Sequence, residues 1–121
     1  MQIKYRYQKG ANAERELAKI LKENGFAVMR AAKSGGSISI PDIIGVKNGR
    51  VLAFECKTWK RKPRLKKEEF AEIVDWCLRA SAEGYLAWRN RGKWLFLNIN
   101  DLATKNIAEH GMTLQEILNL V

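Results

Sequence analysis

Between residues 40 and 57 the apolar and polar positions fall into a readable pattern. Two short apolar runs, 43–46 and 51–54, flank Lys47, Asn48, Gly49 and Arg50. Asn-Gly between such runs predicts a β-hairpin, because both residues tolerate positive φ. The second run alternates: Val51, Ala53, Glu55 and Lys57 share one face, and Leu52, Phe54 and Cys56 the other. A carboxylate and an ammonium therefore emerge together at the far end of an apolar strand. Asp42 stands at the start of the partner strand. An antiparallel hairpin sets that start beside the end of the next strand, so Asp42 and Glu55 are expected to meet.

The same reading extends along the chain. Residues 11–24 carry a helical stripe of Ala13, Leu17, Ala18, Ile20 and Leu21, stopped by Gly25. Glu14 lies on that stripe, where an unpaired charge is costly. Its partner is either a salt bridge, with Lys57 as one candidate, or a metal ion. Residues 26–30 read as a short strand. Residues 31–40, rich in Gly and Ser, read either as a plain loop or as a phosphate-approaching segment with Arg30, Lys33 and hydroxyls. Residues 66–81 form a second amphipathic helix with Phe70, Ile73, Val74, Cys77, Leu78 and Ser81 along one stripe, and Glu68 and Glu69 at its positive end. Trp76 sits at the edge of that stripe, as core rim or subunit contact. Residues 85–88 and 93–98 predict another strand pair. Trp94 and Phe96 oppose Leu95 and Leu97, which implies cover on both faces by a helix or a second subunit. A short helix over 113–120 has Thr113 and Glu116 at capping-box spacing. No repeat or linker breaks the chain, so a single domain over 1–121 is expected.

Charge narrows the partners. The 121 residues hold 22 Lys+Arg against 13 Asp+Glu, a net charge of +9, which points to a polyanion, usually nucleic acid. From 57 to 67 there are seven basic residues and no acidic one, with Trp59 among them. This run is either solvated surface or a phosphate grip in which Trp59 stacks on a base or ribose. Pro63 argues against a helix here. Residues 1–10, with Lys4, Arg6 and Lys9, are either a frayed terminus or a basic arm. No apolar run approaches the ~20 residues that span a bilayer, and no secretory signal pattern is visible. Cys56 and Cys77 lack zinc or redox spacing, consistent with buried thiols in an intracellular, cytoplasmic setting. A single histidine, His110, excludes HExxH chemistry.

The charges at the hairpin end have two readings. One is a surface ion pair between Glu55 and Lys57, which contributes little. The other is a divalent-metal site, since Mg²⁺ takes one or two carboxylates, keeps several waters and accepts phosphate oxygens. A lysine two residues beyond a ligating carboxylate can orient the attacking water and stabilise developing charge. Pro-Asp, a spacer and Glu-x-Lys is the signature of restriction-endonuclease-like nucleases. With Lys9-Gly-Ala-Asn-Ala-Glu-Arg-Glu-Leu, Asn24-Gly-Phe-Ala-Val-Met-Arg-Ala, Ser34-Gly, Ile40-Pro-Asp and Glu55-Cys-Lys, the chain resembles the archaeal Holliday junction resolvases and their viral relatives over roughly residues 9–88.

That resemblance implies an α/β, restriction-endonuclease-like fold, a mixed central sheet flanked by helices. It implies a homodimeric, Mg²⁺-dependent endodeoxyribonuclease, with Mn²⁺ able to substitute, that cuts four-way junction DNA in recombination and repair. By position, Glu14, Asp42 and Glu55 match metal-binding carboxylates and Lys57 the lysine that helps activate water. Ser34 matches a loop serine implicated in cleavage, with Ser37 or Ser39 able to take its place. Arg15 and Arg30 match basic residues near the site. Lys9, Lys33, Ser37, Trp59, Lys60, Arg61, Lys62 and Arg64 join them as expected DNA contacts. Cys56 stands where relatives more often carry a plain aliphatic. The competing readings are a same-fold restriction or repair nuclease on other DNA, a non-catalytic DNA-binding module, and a scaffold for repair proteins.

Overall fold

The computed structural model describes residues 2–32 and 40–120, with side chains from residue 9 onward. One five-stranded mixed sheet in the order β1-β2-β3-β4-β5 organises the chain. β1 (Ala27–Arg30), β2 (Ile43–Lys47) and β3 (Arg50–Lys57) form an antiparallel meander. β4 (Glu83–Asn90) then runs parallel to β3, and β5 (Lys93–Asn98) returns antiparallel to β4. The parallel step needs a crossover, and α2 (Lys67–Ala80) supplies it. The expected hairpin is present: Asn48 and Gly49 sit at φ +50° and +80°, the primed-turn geometry.

Helices cover both faces. Leu17 and Leu21 of α1 (Gln2–Glu23) and Ile117 of α4 (Leu114–Leu118) pack with Leu52, Phe54, Tyr85, Ala87 and Phe96. On the opposite face Ile73 and Cys77 of α2 pack with Ala53 and with Ile99 of η1 (Ile99–Asp101), a short 3-10 turn. Leu86, Trp88 and Leu97 complete that face with Ile107 of α3 (Ile107–His110). β5 is thus sandwiched by its own chain, so its two apolar faces do not require a second subunit. Trp76 packs at the rim of the α2 cluster.

The main departures from expectation lie at the start of α1 and after β5. α1 begins at Gln2, not near residue 11, so the supposed N-terminal arm is helical backbone. Gly10 within it costs only about 1 kcal/mol relative to Ala, too little to break a helix anchored downstream by Ala13, Leu17 and Leu21. η1 and α3 follow β5 where no element was foreseen. Both start on Asn side chains, Asn98 accepting from Asn100 N and Asn106 from Ala108 N and Glu109 N. Among the described residues no helix is long and apolar enough to cross a membrane.

Candidate active site

Asp42 immediately precedes β2, and its neighbour Ile43 pairs with Phe54 of β3. Its backbone N donates to Phe54 O at 2.8 Å, and its Oδ2 accepts from Cys56 N at 2.7 Å. The residue therefore brackets Glu55 from both sides. Both carboxylic side chains are buried, each residue 4% exposed. Charge at such positions needs compensation, because desolvation of a lone carboxylate is severe. Pleat alternation then sets Lys57 on the same face as Glu55, and its Nζ lies 3.8 Å from Glu55 Oε2. The hairpin thus sets Asp42 against the backbone on either side of Glu55, with Lys57 beside Glu55.

Lys57 has a further carboxylate that the local pattern did not single out. Glu69 of α2 places Oε2 3.6 Å from Lys57 Nζ, while its Oε1 accepts from Lys66 N at 3.4 Å. Glu69 had been assigned only to the helix dipole. A signal was available: Glu69, Ile73 and Cys77 are spaced at i, i+4 and i+8, so Glu69 extends the buried stripe toward the sheet. The Lys57 ammonium also lies 5.2 Å from the Trp59 ring centroid, within cation–π range. Trp59 is 48% exposed, and its carbonyl accepts from Trp88 Nε1 at 2.8 Å, which ties the start of the basic run to β4.

Glu14 is placed differently. It projects from α1, on the sheet face opposite α2, and its Oε1 lies 3.3 Å from Arg30 Nη2. Among the described residues its salt-bridge partner is Arg30, not Lys57. Arg30 ends β1 opposite Ile43, and Ala31 N donates to Asp42 O at 2.9 Å, so the Glu14–Arg30 pair borders the Asp42 strand end. Arg15 is exposed and donates to Asn12 Oδ1 at 3.0 Å. Lys9 is partly exposed, and Lys60, Arg61, Lys62 and Arg64 are exposed along an irregular segment. Lys33, Ser34, Ser37 and Ser39 lie outside the described residues, as do the side chains of Lys4 and Arg6.

Among the described residues, no three Asp, Glu, His or Cys side chains are grouped to hold a metal ion by themselves. The donor set still fits one class of ion. Asp42 and Glu55 offer oxygen donors only, which suits Mg²⁺ or Mn²⁺, and Mg²⁺ completes its shell with waters and substrate phosphate. Cys56, the one soft donor nearby, is on the other face of β3, with its backbone N bonded to Asp42.

Buried carboxylates and a lysine at the end of a mixed sheet define the restriction-endonuclease-like class of site. The family model described as archaeal Holliday junction resolvase (Hjc) matches residues 5–120. The match extends well past residue 88, where the motif resemblance ends. A crossover junction endodeoxyribonuclease Hjc of Methanocaldococcus jannaschii is 38% identical over 97 residues, 79% of this chain and 70% of that one. A crossover junction endodeoxyribonuclease Hje of Saccharolobus solfataricus is 36% identical over 77 residues, 62% and 57% of the two chains. The structure of Archaeoglobus fulgidus Hjc, a Holliday junction resolvase, superposes with TM-score 0.79 at 28% identity, covering 89% of this chain and 98% of that one. The chain belongs to the archaeal Holliday junction resolvase family.

Proposed function

We propose that this chain is a metal-dependent endodeoxyribonuclease that resolves four-way DNA junctions inside the cell. The supporting observation is the pair of buried carboxylates, Asp42 and Glu55, side by side at a strand end with the Lys57 ammonium at 3.8 Å, in a chain of this family. Asp42 and Glu55 would hold Mg²⁺ or Mn²⁺. When bound, the ion supplies a Lewis acid for the scissile phosphodiester. Lys57 orients the attacking water and counters the charge that develops on the phosphate oxygens. Glu69 keeps the ammonium aimed along the strand end. Arg30 is drawn to a phosphate on binding, which frees Glu14 to act as a further carboxylate at the site. The loop serine, Ser34 or Ser37, would contact the cleaved strand.

Lys9, Arg15, Lys33 and the run Lys60, Arg61, Lys62 and Arg64 grip the backbone without reading bases, and Trp59 stacks at the edge. Junction selectivity then comes from shape: a homodimer sets two sites across a two-fold axis. The dimer face we propose is the α2 side of β1 and β2, where Met29 is 65% and Val46 39% exposed.

The test is cleavage of labelled four-way junction, linear duplex and single strand, each with Mg²⁺ and with EDTA, alongside Asp42→Asn. Paired nicks on the junction alone, lost with EDTA and in the variant, are expected. Equal cutting of linear duplex would replace the junction reading by a general nuclease. Tight junction binding without cleavage under Mg²⁺ or Mn²⁺ would make the chain a DNA-binding module.

A further inference from the structure

Beyond the strand end, the basic run borders a recess that the cleavage reading leaves unused. It has a volume of about 410 Å³ and lies between residues 62–67 and 102–107, within the range of sites that take small ligands or anchor side chains. Its floor is apolar: Pro63, Phe70, Leu102 and Ile107. Its rim is cationic: Lys62, Arg64, Lys67 and Lys105. None of the described residues lining it is acidic. Pro63 and Ile107 are buried, and Leu65, Phe70 and Leu102 pack into the clusters beneath. The floor is therefore anchored to the core from two sides.

We propose that this recess binds an acidic peptide segment of a partner protein, with an apolar side chain seated on Phe70, Leu102 and Ile107 and flanking carboxylates on Lys62, Arg64, Lys67 and Lys105. Charge complementarity selects an anionic ligand. The floor then selects the kind of anion. A DNA backbone has no apolar group to fill such a recess, and phosphates would engage the rim alone. An unstacked base would need partners for its polar edge. The one side-chain acceptor among the described lining residues is Asn106 Oδ1, which already accepts from Ala108 N and Glu109 N to cap α3, leaving a base's amino groups without a side-chain partner. Leu or Phe between Asp and Glu residues satisfies floor and rim together, in the manner of an anchor residue with a polar surround. Because Lys62 and Arg64 also belong to the proposed DNA grip, bound peptide and bound junction oppose each other, and linkage makes the effect reciprocal. Only that coupling rests on the DNA reading.

Peptide binding is read on the full chain without metal or DNA, and junction binding and cleavage are assayed separately. A fluorescein-labelled acidic peptide with a central Leu-Phe pair is titrated by anisotropy, beside the same peptide with Ser-Ser in its place. Saturable binding of the first is expected, with at least tenfold weaker binding of the second. Ala103→Phe, at an exposed position on the wall, fills the recess and should weaken the peptide at least tenfold while leaving junction cleavage unchanged. Lys105→Glu, also exposed, should weaken it several-fold without Ala103→Phe's demand on packing. Thermal melts of both variants establish that they fold. Absence of saturation, or equal binding of the Ser-Ser peptide, overturns the proposal. So does loss of junction affinity in Ala103→Phe with peptide binding intact, which would give the recess to DNA. Since peptide binding is read without cleavage, a chain that cut no junction would still answer the question.

Discussion

Lys57 is held by number of contacts, not by one close bond. Its Nζ stands 3.8 Å from Glu55 Oε2, 3.6 Å from Glu69 Oε2 and 5.2 Å from the Trp59 ring centroid. None of these is a short hydrogen bond, so the ammonium keeps freedom to turn toward a phosphate. Glu69→Gln retains the shape and removes one charge. Outer-shell partners of this kind typically contribute about 10–100-fold, and a fall of about tenfold in single-turnover junction cleavage is expected, with junction affinity unchanged. An unaltered rate would reduce Glu69 to a helix cap. The contrast between Glu69 and Asp42 also explains what a reader of the sequence could find. Asp42, Glu55 and Lys57 sit on one hairpin, whose turn and pleat follow from a few local residues. Glu69 arrives on a separate helix after the Pro63 segment, so only the phase of α2 connects it to the site. Glu14 shows the limit of phase alone: the stripe placed it inward, but its partner, Arg30, depends on how β1 crosses under α1.

At the level of elements, α2 and η1 pack tightly over β4 at Gly84. A Cβ added at Gly84 would stand 2.8 Å from Cys77 Sγ and 3.0 Å from Ile99 Cγ2. Gly84→Ala therefore overpacks a site walled by α2 and η1, and a loss of about 1–3 kcal/mol in a urea melt is expected. No loss would mean that α2 can slide outward freely. α4 is fixed by a different device. Arg50 forks onto Glu83 at 2.7 and 2.9 Å and donates to Leu118 O and Ile117 O at 2.9 and 2.7 Å. A guanidinium can satisfy all four bonds and an ammonium cannot, so Arg50→Lys should loosen α4 and lower stability by about 1–2 kcal/mol. From sequence Arg50 is merely the last turn residue of the hairpin, because its partners lie 33 and about 67 residues on. The regular elements were legible because each carries its own periodicity. η1 and α3 were not, since three or four residues are too few to display a period, and Asn caps suit loops equally well.

Across the whole molecule, two ion pairs tie distant parts together and contribute to its response to acid. Glu16 of α1 accepts from Arg89 Nε at 3.0 Å and Trp94 Nε1 at 2.8 Å. The bond from Arg89 holds its carboxyl below the ordinary 4.5, and Arg50 does the same for Glu83. A depressed pKa in the fold means that the unfolded chain binds protons first as pH falls. The stabilisation is thus complete above about pH 4.5 and lost as pH drops through the folded values. Both side chains are 38% exposed, so screening limits each to about 0.5–1 kcal/mol. Melts from pH 7 to 3 should decline below pH 4.5, less steeply in Glu16→Gln; parallel curves would remove Glu16 from the account. The strand order bears on assembly as well. β1 is an edge, and its α2-side residue Met29 pairs with Ile44 of β2, leaving Met29 and Val46 exposed on that face. In the proposed dimer a second copy buries this apolar surface, and burying a side chain of this size is worth about 1.5–3 kcal/mol. Met29→Asp, at a position 65% exposed on the edge strand, should shift the sedimenting species of the proposed dimer to monomer at micromolar concentration. A monomer has one site per encounter with a symmetric junction. On a supercoiled plasmid that extrudes a cruciform, the variant should accumulate nicked circles where the parent chain yields linear product. A dimeric variant that still gives linear product would move the interface elsewhere. A monomeric variant that linearises within one binding event would mean that paired cutting does not need the dimer at all.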